Sequence, residues 1–538
     1  MLTYTPPSSK TSKPNEKPWV LMFLAFVWLW PGIINRDLWG GEMAFFTAVQ
    51  NLQHNGLVPE VLNQPYVFHS PLILWLASVS QQWFSPWLMH AYTATRLVTV
   101  LCMVIAFWCL GGAGRELLGK YHGRSVVLIA IGCPGLMVFG HTLGNMPMIF
   151  AAICSFLYGS ILGRRKTLYG GLLMGLGWLF AFLAGNFPPF IFLFIFSGLL
   201  FFSPYWRIKP YAIALMIACC ISLPLIPIFP YLLWQNAPHS FWLWWNDFAL
   251  GDYGGFLHFE MGFSLGAIIK NTLWFALPAW LLTLWTLWQR HLLNQRVIWF
   301  CLTWCLLALL MLSLHRHLHR DSLIWILPPL AILGTAGLDT MQRGFASFLN
   351  WFGIMVFGIM ALAVWGMFFA VNYHTPQWLS DLAQSFNPRF SPDWDYFPIL
   401  LALSFTPIWL WAVTRKHIRG RQAVTNWAAG ITLVWTLLLS ILMPWIDMTK
   451  SYRPLVEEMY HAIEQQNIPC INSIDKTALL AWNLYGDFPV QTFANQTCDY
   501  HLIKQYSVTN FQNRPEILWQ GKRSPRDQEN YLLIHDIQ

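Results

Sequence analysis

Two short segments carry side chains suited to group transfer: Arg36-Asp37-Leu38-Trp39-Gly40-Gly41-Glu42 and His315-Arg316-His317-Leu318-His319-Arg320-Asp321. A carboxylate can orient or deprotonate an attacking hydroxyl, and guanidinium or imidazolium groups can hold a departing phosphate. Glu42 is the first candidate for the carboxylate and Asp37 the second. The competing readings are an interfacial carboxylate flanking the next helix for Glu42, and a local ion pair with Arg36 for Asp37. The histidine and arginine cluster suits phosphate recognition, because arginine binds oxyanions bidentately. Its rival is a set of side chains snorkelling to lipid headgroups, helped by Asp321. His-x-His-x-His with one Asp and no nearby Cys is a weak zinc pattern, so no metal site and no divalent ion is expected.

The elements that must position these groups are mostly membrane-embedded. Hydrophobic residues make up 56% of the 538-residue chain and charged residues only 10%, against about 25% in a soluble domain. Mean hydropathy is +0.45. Continuous apolar runs of roughly 20 residues demand helices, which satisfy their own backbone groups in lipid. About thirteen spans are expected, near 18–34, 96–113, 124–142, 146–163, 168–186, 188–203, 210–234, 264–288, 297–314, 322–338, 348–371, 397–413 and 427–447. A short polar lead (1–17) precedes them. Lys and Arg in alternate short loops, among them Arg115, Lys120, Arg124, Arg164-Arg165-Lys166 and Arg415 to Arg421, place the amino terminus inside and the carboxyl terminus outside. The net charge of +8 is then a topology signal, and no nucleic-acid partner is expected.

The outer loop over 35–95 is too long for a connector. After Gly40-Gly41, the spacing of Met43, Phe46, Val49 and Leu52 predicts a surface helix over Asp37 to Gln53, and a second is predicted over Pro71 to Phe84. Together they would roof the bundle. The loop Gln235 to Phe263, with Trp242, Trp244, Trp245, Asp247, Asp252, Tyr253 and His258, reads as an aromatic, flexible anchor at the interface or a mobile gate. The tail over 448–538 reads as a small soluble α/β domain: helices at Tyr452 to Gln466 and Lys476 to Leu484, strands at Ile468 to Ile474, Val490 to Phe493, Tyr500 to Ile503 and Tyr531 to Ile534. Cys470 and Cys498 are its two cysteines, a disulfide pair in an oxidising compartment or otherwise two buried thiols. The other eight lie within spans as packing residues.

The order of a first span, a Leu-Trp-x-x-Glu element, a helix, Leu62-Asn63-Gln64-Pro65-Tyr66 and then Pro71-Leu72-Ile73-Leu74-Trp75-Leu76 resembles the first periplasmic loop of the ArnT-type branch of the protein O-mannosyltransferase families, in the GT-C superfamily. Leu327-Pro328-Pro329-Leu330 and the outside tail extend the likeness over nearly the whole chain. The resemblance implies a polytopic GT-C-like helical fold in a bacterial inner membrane, with a periplasmic tail. It implies transfer of a sugar from a polyprenyl phosphate carrier to a lipid, glycan or protein acceptor outside. Under it, Glu42, with Asp37 behind it, would activate the acceptor; His69, His315, Arg316, His319 and Arg320 would hold the carrier phosphate, with Tyr66 and Asn145 on substrate. The chain departs from the pattern at Gly41, where the family carries its aspartate, at Phe68 and His69, where it carries an acid and a lysine, and at Asn145, where a second acid is usual. A missing general base costs about 10²–10⁴ in rate. A scaffold with lost catalysis, serving lipid binding or envelope glycan assembly, is therefore the alternative; a transporter is less favoured because the spans hold few interior charges.

Overall fold

The computed structural model describes residues 18–34, 36–56, 58–67, 71–289, 291–315, 318–388, 390–391, 396–414, 420–463, 468–486, 490–492, 498–505 and 516–535. Helix α1 (Trp19–Leu29) leads to the first loop, which holds α2 (Glu42–Asn55), the hairpin β1 (Glu60–Val61) and β2 (Gln64–Pro65), and α3 (Pro71–Phe84). The bundle continues with α4 (Ala91–Leu118), α5 (His122–Ile131), α6 (Pro134–Phe139), α7 (Met146–Leu162), α8 (Thr167–Gly185), α9 (Phe187–Leu199), α10 (Lys209–Leu225), α11 (Ile228–Asn236), α12 (Pro238–Asp247), α13 (Leu265–Phe275), α14 (Ala279–Trp288), α15 (Arg296–Ser313) and α16 (Leu327–Ala336). It closes with α17 (Arg343–Tyr373), α18 (Gln377–Phe386), α19 (Tyr396–Val413), α20 (Gly420–Ser440) and α21 (Met443–Lys450).

Among the described residues, seven helices are long and apolar enough to cross a membrane, and eight if α13 and α14, bent by 101°, count as one broken span. The sequence led to about thirteen. Part of the difference has a physical origin in proline, which lacks an N–H and ends or bends helices. Pro134 opens α6 straight after α5, Pro188 and Pro189 open α9, Pro278 separates α13 from α14, and Pro328 and Pro329 open α16. The stretch expected over 124–142 is thus split into α5 and α6, whereas α1, α7 and α9 are apolar but brief with any proline confined to the first turn.

In α2 the expected face is the buried one: Met43, Phe46, Val49 and Leu52 are all below a tenth exposed. Burying each such side chain contributes about 1.5–3 kcal/mol. The hairpin between the two surface helices turns on Leu62 (φ 54°) and Asn63 (φ 57°), both left-handed as a two-residue turn of this twist requires. Helix α7 sits at the heart of the bundle against α4 and α8, its residues buried almost throughout.

The chain after α21 forms α22 (Arg453–Ala462), β3 (Ile471–Ser473), α23 (Lys476–Gly486), β4 (Val490–Thr492), β5 (Tyr500–Gln505), β6 (Glu516–Gly521) and β7 (Asn530–His535). The strands make one sheet in the order β4-β3-β5-β7-β6, parallel on either side of β3 and antiparallel from β5 onward. Leu502 pairs with Leu533, and Trp482, fully buried, packs between Trp519 and Tyr531. Strand β6 was not anticipated from the sequence. Cys470 and Cys498 are joined in a disulfide.

Candidate functional site

The start of the first loop folds onto its own helix. Gly40, with φ +52°, makes the turn that returns Glu42 toward the loop, so that the Trp39 amide donates to Glu42 Oε2 at 3.2 Å. Arg36 Nη2 reaches Glu42 Oε1 at 2.5 Å, and Arg96 Nη2, from the second turn of α4, reaches Oε2 at 3.0 Å. The Leu143 amide, on the connection between α6 and α7, donates to Oε1 at 2.8 Å. That connection is fixed by His141, whose ring nitrogens lie 2.7 Å from the Met137 and Trp28 carbonyl oxygens. Arg96 also donates to the Arg36 and Asp37 carbonyl oxygens, at 2.5 and 2.8 Å. One buried arginine therefore ties the loop to the bundle.

Burial would raise the Glu42 carboxyl, but the Arg96 and Arg36 charges with the two amides overcome it and hold its pKa at about 2. Both oxygens already accept two hydrogen bonds, and the side chain is only 5% exposed. Such a carboxylate is a poor proton acceptor near neutral pH and has little capacity left for an acceptor hydroxyl. In this structure Glu42 has the contacts of a strut between two arginines.

Asp37 stands differently. Its carboxylate is a fifth exposed and meets Arg453 of α22 in a forked pair, Nε to Oδ2 at 3.1 Å and Nη2 to Oδ1 at 2.9 Å. The expected local pairing of Asp37 with Arg36 is not found; Arg36 turns to Glu42 and lies over the Trp39 ring, 4.3 Å from its centre. Arg453 is 4.9 Å from the centre of the Tyr485 ring. Asp447 of α21 accepts from the Asp37 amide (3.2 Å) and from Trp39 Nε1 (2.7 Å). Burial, with the Asp37 charge nearby, pushes its carboxyl up to about 6 against the hydrogen bonds from Asp37 and Trp39. Three arginines and three carboxyl groups thus form one near-neutral network, of which Asp37 and Arg453 are the open end.

The second cluster gathers elsewhere. His315, 2% exposed, lies with Nδ1 3.2 Å from Asp252 Oδ2 and its ring edge-on to Tyr253, 4.5 Å between centres. Ser322 Oγ donates to Asp252 at 3.4 Å, and His319, exposed, has Nε2 3.8 Å from Asp252 Oδ1. Arg320 is exposed at the start of a 3-10 turn (Arg320–Ile326), and Asp321 is largely buried, which raises its carboxyl. Among the described residues no hydrogen bond or ion pair joins this cluster to the Glu42 network; the two share only the neighbourhood of α6 and α7, on which the 3-10 turn packs. Glu42 and the cationic cluster, to which the resemblance assigns the acceptor and the carrier phosphate of one reaction, are thus not linked by these contacts. Burial also removes His315 from the exposed phosphate ligands.

His69 and Arg316 lie outside the described residues. Tyr66 borders a small apolar crevice between the first loop and α11, where burial raises its phenol. Asn145, half-buried, sits at the start of α7 two residues after the Leu143 amide. In the aromatic loop after α11, Trp244 is 1% exposed and donates to Asn186 Oδ1 at 3.2 Å and Trp245 stacks on Phe256 at 4.2 Å, while Trp242 and residues 256–261 are exposed. Among the described residues no group of three or more His, Cys, Asp or Glu is placed to hold a metal.

Arg96, Asp447 and Arg453 did not stand out in the sequence. For Arg96 a signal existed, since an arginine near the start of a long apolar helix needs a partner. Asp447 and Arg453 sit 410 and 416 residues from Asp37, and no local pattern relates them.

No family model and no curated protein matches the sequence. Among solved structures, the fold matches ArnT from Cupriavidus metallidurans bound to undecaprenyl phosphate, at 13% identity, TM-score 0.61, over 96% of this chain and 97% of that one. The apo state of the same protein matches at 14% identity, TM-score 0.62, with the same coverage. The chain therefore shares the helical fold of this ArnT structure along almost its whole length.

Proposed function

We propose that this chain is a membrane glycosyltransferase that takes a sugar from a polyprenyl phosphate carrier and adds it to a lipid, glycan or protein acceptor on the periplasmic face of a bacterial inner membrane. The observation that carries the reading is the ArnT fold over 96% of the chain, because the matched ArnT structure holds undecaprenyl phosphate. In this reading the bundle crosses the membrane thirteen times through its shorter and broken helices, with the amino terminus inside and the carboxyl-terminal α/β unit outside. The basic loops at alternate turns support that orientation.

The half-open Asp37 and Arg453 pair forms the reacting centre in place of Glu42. The acceptor oxygen attacks the anomeric carbon, the bond from that carbon to the carrier phosphate oxygen breaks, and the phosphate leaves with the electron pair. Asp37 orients the acceptor and receives its proton, while Arg453 stabilises the departing phosphate. Glu42 holds Arg36 and Arg96 so that the backbone bearing Asp37 stays fixed. The exposed His319 and Arg320, with His69 and Arg316, serve the carrier lipid nearer the surface.

A second reading, a scaffold that binds the carrier but no longer transfers, draws on one observation: Gly41 stands where the resembling family carries its aspartate, and Glu42 is saturated. Undecaprenyl phosphate offered to the purified chain separates the readings together with a turnover assay. Binding that competes with sugar transfer supports the enzyme, binding without transfer supports the scaffold, and no binding overturns both.

A further inference from the structure

The geometry points to a binding site for an anionic glycerophospholipid at the end of the bundle opposite the Glu42 network. Helix α4 runs from Arg96 to Arg115, 19 residues or roughly 28 Å, and so joins the two ends. At the far end a cavity of about 540 Å³ opens between α1, α4, α5 and α7. Its rim carries Arg115, Lys120 and Arg124, and its walls are Phe107, Trp108, Val127 and Tyr158. A second cavity of about 320 Å³ shares Leu21, Tyr121 and Arg124 with it and adds Ser125 and Arg421. The pair makes one groove, cationic at the helix ends and apolar along the bundle, which is the polarity of a phospholipid: phosphate at the rim, acyl chains against the walls.

The described acids nearest Arg115 and Lys120 are engaged elsewhere. Glu116 is turned to Arg165, 3.2 Å away, and Asp339 is held by Arg421 in a forked pair at 2.8 and 2.7 Å and by His122 at 3.1 Å. Among the described residues, neither the Arg115 nor the Lys120 side chain has an ion-pair partner, and both are exposed. Trp108, 68% exposed, would lie along an acyl chain. A zwitterionic lipid would bring a second positive charge to the same place. An anionic headgroup is the complement, and basic pockets between helices recognise such lipids through this electrostatic attraction.

The test is native mass spectrometry of the full chain, released from nanodiscs of mixed phosphatidylglycerol and phosphatidylcholine. Phosphatidylglycerol should be retained in clear preference to phosphatidylcholine. The triple variant Arg115→Gln, Lys120→Gln, Arg124→Gln should lower that preference roughly a hundredfold, and Lys120→Gln alone, which is exposed and unpaired and so spares the fold, about fivefold. Equal retention of the two lipids, or a preference untouched in Lys120→Gln, would overturn the site. Undecaprenyl phosphate is added as a competitor. Displacement of phosphatidylglycerol by it at equal concentration would assign the groove to the carrier and overturn this assignment, whereas continued retention supports it. Because the readout is lipid retention, it does not depend on whether the chain transfers a sugar.

Discussion

Neutralising Glu42 leaves Arg36 and Arg96 buried without the charge they share. Removing one partner of a buried ion pair destabilises by about 3–5 kcal/mol, so Glu42→Gln should lower the thermal midpoint of the purified chain strongly as well as any activity. A variant inactive yet as stable as the parent would return Glu42 to a catalytic role. The carboxyls also predict opposite pH responses. The Glu42 pKa is lowered on folding to about 2, so its contribution is complete above the ordinary value near 4.5 and is lost as pH falls toward 2. The Asp447 pKa is raised from 3.8 to about 6, so its protonated form favours the fold below pH 3.8, and that contribution fades as pH rises through 6. Midpoints measured from pH 4 to 8 should therefore fall more steeply for the parent than for Asp447→Asn; parallel curves would contradict the assignment.

Between elements, the contact that matters is α22 against the first loop, through Arg453 and Asp37. With Arg453 39% exposed, Arg453→Ala should cost only about 1 kcal/mol or less of stability, yet it frees the loop start from the tail. Hydrogen exchange should quicken at the Asp37 and Trp39 amides, and unchanged protection there would argue that Arg96 alone fixes the loop. In the tail, the disulfide spans 28 residues of sequence, and closing a loop of that length contributes about 3–4 kcal/mol. Reductant should accordingly lower the stability of the sheet while the bundle remains folded, as separate thermal transitions would report. What was legible beforehand is what depends on local periodicity: the buried face of α2, the bounds of α3, and the helices α22 and α23. Strand β6 was missed because its apolar part is only Ile517, Leu518 and Trp519, three consecutive residues that show no alternation. The reach of Arg453 to Asp37 was invisible for another reason, since it is created by the packing of the tail on the first loop. The saturation of Glu42 was hidden likewise, because two of its partners, Arg96 and Leu143, arrive from distant segments.

At the scale of the whole molecule, short and proline-broken helices explain why the sequence reads as thirteen crossings while, among the described residues, seven or eight stand out by length. Broken helices remain compatible with a bilayer where neighbours satisfy the freed backbone groups, and α5 and α7 lie deep in the bundle. The connection between α6 and α7 supplies the Leu143 amide to Glu42. The fold places one charged network under the surface helices and a cationic groove at the other end of α4, so the long helix joins two chemically different ends. The central claim is that this scaffold transfers a sugar through the Asp37 end of the network. Its most direct test is mass spectrometry of the envelope lipids and glycans of cells with the chain, without it, and with Asp37→Asn at equal abundance. The account predicts a component heavier by one sugar that depends on the chain and falls about 10²–10⁴ in its rate of formation in the variant. Identical mass profiles in all three, or full modification by Asp37→Asn, would contradict it.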